Sequence, residues 1–354
     1  MIRRVAAGET DRASWDAFLA RRPEADVLQS WAWGEAMGPT GQRPIRTIVV
    51  DDDGQILGVV QALVRPTDFG RTILYAPHGP VWDRSSPVAT GILEQLLEGL
   101  RDVARAERGI VVKVDPAADR VGPDDTDAVV AALVESGLRP ARRDLQARTT
   151  LIVDLSGEPA EREARWSPEA RNLARRSARE GVVVEVSRTA DPELISEATD
   201  LLNATGARGG FRTHDAAFLL DLARGLTATG GWYLLIGRLA GRALGVMIVA
   251  RTGDRAAYLY GGSLRDEANR HANPGYGVMA AAMHALAGDG VRWFDLWGVH
   301  DPRDPEADES WHGFSAFKRR FGGREIRHPG TFDLVVSPAW YLVRDLRERL
   351  RGAR

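Results

Sequence analysis

Runs of apolar residues broken by glycine and acidic turns divide the chain into short strands. Residues 44–66, PIRTIVVDDDGQILGVVQALVRP, read as a strand, a turn at Asp53-Gly54 and a second strand, the pattern of a β-hairpin. Residues 232–251, WYLLIGRLAGRALGVMIVAR, repeat that plan, so that Gly241 to Gly245 lies on Gly54 to Gly58. The correspondence continues. RTILYAP (71–77) matches RAAYLYG (255–261), each followed by a Gly/Pro loop and a helix, and GIVVKVD (109–115) matches GVRWFD (290–295). Each half then offers a second helix, 126–136 and about 310–320, and closes on an apolar strand, TTLIVDL (149–155) and TFDLVV (331–336). Hairpin, strand, helix, strand, helix, strand, written twice in one order, predicts an α/β (α+β) chain with mixed sheets flanked by helices.

Ahead of the second hairpin stands WSPEARNLARRSAREG (166–181), with Ser167 and Pro168 as helix start signals and Gly181 as a stop. Arg171, Arg175 and Arg179 recur every fourth residue and share one face. Spacing leaves two readings open, a solvated surface or a short basic ridge for phosphates.

Composition narrows the function classes. At 354 residues, 44% of them hydrophobic, the chain exceeds one comfortable core, and two domains are expected. A net charge of −2 and a pI near 6.4 exclude a protein that coats nucleic acid, so any RNA contact must be local. The absence of cysteine excludes disulfides, thiolate metal sites and cysteine nucleophiles together. The seven histidines lack metal-ligand spacing, and no metal site is expected. No stretch approaches the roughly 18 to 20 uncharged apolar residues of a membrane helix, which predicts a cytoplasmic protein without an integral membrane segment. Of 47 basic residues only Lys113 and Lys318 are lysines, and Lys318 sits in HGFSAFKRRFGG (312–323). Spacing alone reads that stretch as an amphipathic helix end whose cations suit the C-terminal dipole.

The segments QSWAWGE (29–35), YAPHGPVWD (75–83), RNLARRSAREGVVVEV (171–186), YLYGGS (258–263), FDLWGV (294–299) and FKRRFGG (317–323), followed by PAWYL (338–342), resemble the Fem family. Its members are aminoacyl-tRNA-dependent ligases that build peptidoglycan cross-bridges, and this chain resembles their compact type without a coiled-coil arm. The resemblance implies two tandem GNAT-like domains, here 1–153 and 154–330, with 331–354 as a closing strand and terminal helix packing on the first domain. It also implies a reaction: an amine of a peptidoglycan precursor, lipid-linked or UDP-linked, attacks the ester carbonyl of an aminoacyl-tRNA. No cofactor is needed because the ester is already activated, and peripheral membrane association is compatible with it.

The same resemblance assigns residues. Lys318 would stabilise the oxyanion with Phe317 at its border, since a compact ammonium suits a tetrahedral oxyanion better than a planar guanidinium. Asp115 would accept the amine's proton. Tyr260, Trp33, Tyr75, Arg212 and His214 would contact the precursor, and Arg171, Arg175, Arg179 and Arg319 the tRNA. Trp31 and His78 read as packing residues. The pattern departs from the family where Met37 replaces a phosphate-gripping lysine and where His214 and Phe218 replace an arginine and a tyrosine. Two rival readings stay open: an acyl-CoA-dependent tandem GNAT, although Ala272 in RHANPGYG (270–277) stands where a pyrophosphate loop wants Arg or Gln, and a non-catalytic precursor- or RNA-binding scaffold. The transferred amino acid, the accepting amine and the oligomeric state are not encoded legibly.

Overall fold

Both hairpins form where the alternation places them, Arg43–Val50 with Ile56–Thr67 and Trp232–Leu239 with Arg242–Thr252. The second turn holds Ala240 at φ 49° and Gly241 at φ 82°, the paired left-handed residues that tight hairpins favour. The computed structural model describes residues 2–119, 122, 125–209, 213–264, 269, 271–304 and 309–352. The chain forms two compact units, Met1–Arg148 with Arg327–Arg354, and Thr149–Ile326.

In the first unit a sheet runs in the order Arg3–Ala6, Arg43–Val50, Ile56–Thr67, Arg71–Ala76, Gly109–Val114, Phe332–Val335 and Arg139–Pro140, with Val81–Trp82 on the second hairpin strand. Helix Ala89–Ala106 lays Leu93, Leu96, Leu97 and Leu100 against Val60 and Val112. Full burial of each such leucine stabilises by about 1.5–3 kcal/mol. In the second unit the order is Arg324–Arg327, Thr149–Asp154, Trp293–Gly298, Arg255–Ser263, Arg242–Thr252, Trp232–Leu239 and Val183–Ser187. Val278, Met279 and Met283 of helix Pro274–Gly288 bury against Leu235, Met247 and Phe294.

One expectation fails. TTLIVDL was expected to close the first half, yet Thr149–Asp154 pairs antiparallel with Trp293–Gly298 of the second unit; Phe332–Val335, in the segment expected to pack on the first domain, pairs with Gly109–Val114. Each sheet therefore takes this strand from the other half of the sequence. Both segments are equally apolar, and local pattern carries no information about which distant edge a strand will join.

The basic segment folds as read. Helix Pro168–Arg179 starts at Ser167, whose side chain accepts from the Ala170 amide, and Gly181 follows it at φ 91°. It packs on helix Pro274–Gly288 at a point where a Cβ on Gly277 would lie 2.5 Å from the buried Ser177 Oγ. Gly277→Ala should therefore destabilise by about 1–3 kcal/mol, although alanine's helix propensity alone would favour it by about 1 kcal/mol. A lower melting temperature, partly restored by adding Ser177→Ala, would bear this out, and an unchanged one would refute the close packing.

The two parallel strand pairs differ. In the first unit Arg71–Ala76 stays paired with Gly109–Val114 from Thr72 opposite Gly109 to Ala76 opposite Val114. In the second, Arg255–Ser263 and Trp293–Gly298 pair only from Arg255 opposite Trp293 to Ala257 opposite Asp295. Beyond that point they part.

Candidate active site

The parting has a local cause. The Asp295 carboxylate accepts the Trp297 amide at 2.7 Å and the Thr150 hydroxyl, and Trp297 is held at φ 65°, so the strand kinks at its end. This kink presents the Gly298 carbonyl, which accepts a hydrogen bond from Lys318 Nζ at 2.8 Å. Lys318 ends helix His312–Arg319 and is buried at 7% exposure. Its ammonium lies 4.8 Å from the centre of the Phe314 ring and 5.5 Å from that of Tyr258. Burial lowers its pKa from 10.5 to about 7, against the opposing pull of Asp295.

The two lysines have opposite surroundings. Lys113 forms a buried ion pair with Asp333 at 2.6 Å, and the Tyr341 hydroxyl donates to the same carboxylate. Its charge is matched on the spot. Among the described residues Lys318 has no carboxylate at ion-pair distance, only a carbonyl oxygen and two aromatic rings. A desolvated ammonium with a neutral partner is poised to gain from any negative charge that develops beside it.

A pocket of about 650 Å³ is lined by Tyr258 and Phe314, the rings against which Lys318 packs, though not by Lys318 itself. Tyr258, Phe314 and Phe317 line one part of it, and Gly275 and Tyr276 bring in the first turn of helix Pro274–Gly288. That turn is the positive end of the helix dipole. Arg320 also lines the pocket, donating to the Tyr276 hydroxyl and pairing with Glu169 at 3.0 Å. Phe317 meets Tyr276 and Phe321 edge-on, at 5.0 and 5.4 Å between ring centres. Phe317 lines the pocket, while its chain neighbour Lys318 lies against Tyr258 and Phe314.

Other expected residues scatter. Tyr260 does not line this pocket; it packs edge-on against His214, which stacks on Phe218 at 3.9 Å, and burial raises its hydroxyl pKa. The bulge that sets Ile248 opposite Tyr260 but Val249 opposite Tyr258 brings Tyr258 to the pocket instead. Burial alone raises the Tyr258 hydroxyl to about 12. Arg212 lies outside the described residues. Arg171 donates to the Trp166 carbonyl at 2.6 Å and reaches the carbonyls of residues 163 and 164, so it caps the preceding helix Pro159–Ala164. Arg319 pairs with Glu325 and donates to the His300 carbonyl. Arg175 and Arg179 are the exposed members of the set, Arg175 with a weak ion pair to Glu163 at 3.4 Å.

The first unit holds a second polar centre. Asp115 is buried; its carboxylate accepts the Tyr75 hydroxyl at 2.7 Å and the His78 amide at 2.6 Å. Gln146 donates to the Tyr75 oxygen, Arg65 stacks on the Tyr75 ring, and the His78 ring bonds to Asp26. Burial raises the Asp115 pKa from 3.8 to about 7, against the lowering influence of His78 and these hydrogen bonds. Tyr75, pushed well above 10 by burial and by Asp115, stays protonated. Trp33 and Met37 are buried on helix Trp31–Met37, and Trp31 packs edge-on to Trp15 at 5.9 Å beneath the Arg46 guanidinium.

Sequence reasoning missed Tyr258, Arg320 and Gly298. Tyr258 stands in the same YLYGGS run as Tyr260, and only the bulge decides between them. Arg320 was visible in FKRRF, two places from the lysine. The role of Gly298 depends on a kink that no spacing reveals. Among the described residues no cluster of His, Asp and Glu could hold a metal ion, and no helix is long and apolar enough to cross a membrane.

Residues 168–319, the stretch from the basic helix to the helix of Lys318, match the acetyltransferase (GNAT) domain family. Over 96% of its length the chain is similar to the lipid II:glycine glycyltransferases of Staphylococcus haemolyticus, at 25% identity over 411 aligned positions, and of Staphylococcus aureus, at 24% over 413. Each comparison covers 95% of the relative. These alignments are longer than the chain itself, so the relatives carry inserted segments. Here the longest described helix of the second unit, Pro192–Gly209, has 18 residues. The crystal structure of FemX superposes with a TM-score of 0.82 at 21% identity, covering 96% of this chain and 99% of that one. A tandem GNAT protein from the clavulanic acid pathway superposes at 0.57, with 14% identity over 96% of this chain and 99% of its own. With its two mixed sheets, its GNAT-like folds and this end-to-end similarity, the chain is similar to the Fem family over nearly its whole length.

Proposed function

We propose that this protein transfers an aminoacyl group from aminoacyl-tRNA to an amine of a peptidoglycan precursor, extending an interpeptide bridge. The observation that carries the reading is the buried Lys318 ammonium, held by one carbonyl and packed against Tyr258 and Phe314, which line the pocket. The names of the staphylococcal relatives supply the chemistry: glycyl transfer to lipid II. A donor ester on tRNA suits a site that has positive charge but no nucleophile at its centre.

In this reading the amine nitrogen adds to the ester carbonyl, and the oxygen that becomes negative meets the Lys318 ammonium. Because the ammonium is already desolvated and fixed, it needs little reorganisation when the charge appears. The C–O bond to the ribose then breaks as the amide forms. The nitrogen sheds a proton as the departing ribose oxygen takes one up, so the step balances overall. Tyr258, Phe314 and Phe317 keep water from competing for the ester. Charged tRNA and unfinished precursor coexist in the cytoplasm, where we place the reaction.

The tRNA contact is proposed to be small, resting on Arg175 and Arg179 because Arg171 and Arg319 are engaged within the fold. The logarithm of the tRNA affinity should then fall against the logarithm of salt with a slope of about −2, at roughly 0.7 to 0.9 per phosphate contact. A steep slope, as for a protein that neutralises six or more phosphates, would contradict a local contact.

The dipole end of helix Pro274–Gly288 in the pocket wall favours a second reading, an acyl-CoA donor with its pyrophosphate on that turn. Thermal stabilisation by acetyl-CoA but not by charged tRNA would support it over the first.

A further inference from the structure

The terminal helix Pro338–Gly352 turns one face inward and leaves the other bare. Tyr341 faces in, donating its hydroxyl to Asp333 and lying under the Arg139 guanidinium. Leu342, Val343 and Leu346 face out, with 68%, 46% and 57% of their surfaces exposed. Beside them is Phe69, 62% exposed at the tip of the turn Asp68–Gly70, where its φ of 63° holds it out from the sheet. These four residues are among the few large apolar side chains so exposed among the described residues; Val343 shares a groove with Phe69, and Leu342 and Leu346 flank it on the helix. Phe69 lies 5.8 Å from Trp340 between ring centres, and a shallow groove of about 220 Å³ joins Phe69, Trp340 and Val343.

The border of this patch is cationic. Arg347 lies over Phe69 at 5.1 Å, Arg71 over Trp340 at 4.6 Å, and Arg108 is exposed beside the same turn. Asp68 offsets part of this by pairing with Arg347 at 3.2 Å. A second copy docking face to face would set arginine against arginine, at a cost. A surface with an apolar interior and anionic headgroups complements both the ridge and its rim.

We propose that the outer face of this helix, together with the Phe69 turn, docks on a bilayer containing anionic phospholipid. The apolar ridge enters the level of the acyl-chain boundary, and Arg71, Arg108 and Arg347 meet the phosphates. Docking of this kind is reversible and strongest at low salt, because it combines a small apolar area with few charges. The surface stands on its own observations and does not depend on the transfer reaction.

The test is co-sedimentation of the full chain with vesicles of phosphatidylcholine alone and of equal parts phosphatidylcholine and phosphatidylglycerol. The protein is expected to pellet with the anionic vesicles at low salt and to remain in solution with the neutral ones. Leu342→Glu with Leu346→Glu, both on the solvent face of the helix, should weaken binding roughly tenfold or more. Phe69→Asn, which suits the left-handed backbone, should weaken it without disturbing the turn. Circular dichroism of each variant should match the parent. Equal binding by parent and variants, or no binding to either vesicle, would overturn the proposal. So would a dimer in sedimentation equilibrium that the double variant abolishes, since that would make a second copy the occupant. Transfer to a soluble UDP-linked acceptor should be unchanged in the variants, and absence of any transfer would count against the proposed reaction and leave the vesicle result intact.

Discussion

Lys318→Ala is expected to lower aminoacyl transfer by a factor of roughly 10² to 10³, the usual cost of removing one fixed donor from an oxyanion site. Lys318→Met should lose as much while keeping the volume, and Lys318→Arg should not rescue, because a planar fork cannot replace a compact ammonium in a cleft walled by Phe314 and Tyr258. The loss should appear in kcat, since the charge it stabilises exists only after the amine has attacked. Stability should move the other way. The lysine binds its proton below about 7 when folded but below 10.5 when unfolded, so between those values the unfolded chain holds the extra proton. Stability contributed by this group is therefore lost as pH falls from 10.5 through about 7. At neutral pH Lys318→Met should melt higher than the parent. A variant that melts lower and still transfers would show the lysine to be structural.

The second large effect concerns pH. Asp115 can accept a proton only as a carboxylate, which it becomes above about 7, whereas Lys318 carries its charge only below about 7. For a reaction that needs the Lys318 ammonium, kcat/KM should fall on the alkaline side of about 7. Lys318→Ala should erase this alkaline limb. Stability again provides a check. The folded carboxyl holds its proton up to about 7 and the unfolded one only to 3.8, so this group costs stability as pH rises between those values. Asp115→Asn should thus be more stable than the parent above pH 7, provided the Tyr75 and His78 hydrogen bonds are kept. A flat pH profile in the parent would remove the Lys318 assignment.

Much of this architecture was legible because its signals are local. The two hairpins, the capped basic helix and the order of elements follow from alternation, turn glycines and cap residues within a few positions of one another. That Thr149–Asp154 would join the second sheet was not legible, since partner choice between equally apolar strands depends on distant geometry. At the site, Lys318 stood out because it is one of two lysines, and Phe317 came with it. Tyr258 and Tyr260, two apart, would share a face in a regular strand, and a bulge invisible in the alternation separates them, leaving Tyr258 at the pocket. The arginines at 171, 175 and 179 do recur on one face, but spacing could not show that Arg171 would be drawn off to cap the neighbouring helix.

The decisive measurement gives the purified protein a mixture of charged tRNAs, or acetyl-CoA instead, together with cell-wall precursors, and follows precursor mass. The account predicts that a precursor gains the mass of one amino-acid residue only when charged tRNA is present, and that this gain disappears with Lys318→Ala. Acylation supported by acetyl-CoA with none from charged tRNA would contradict it.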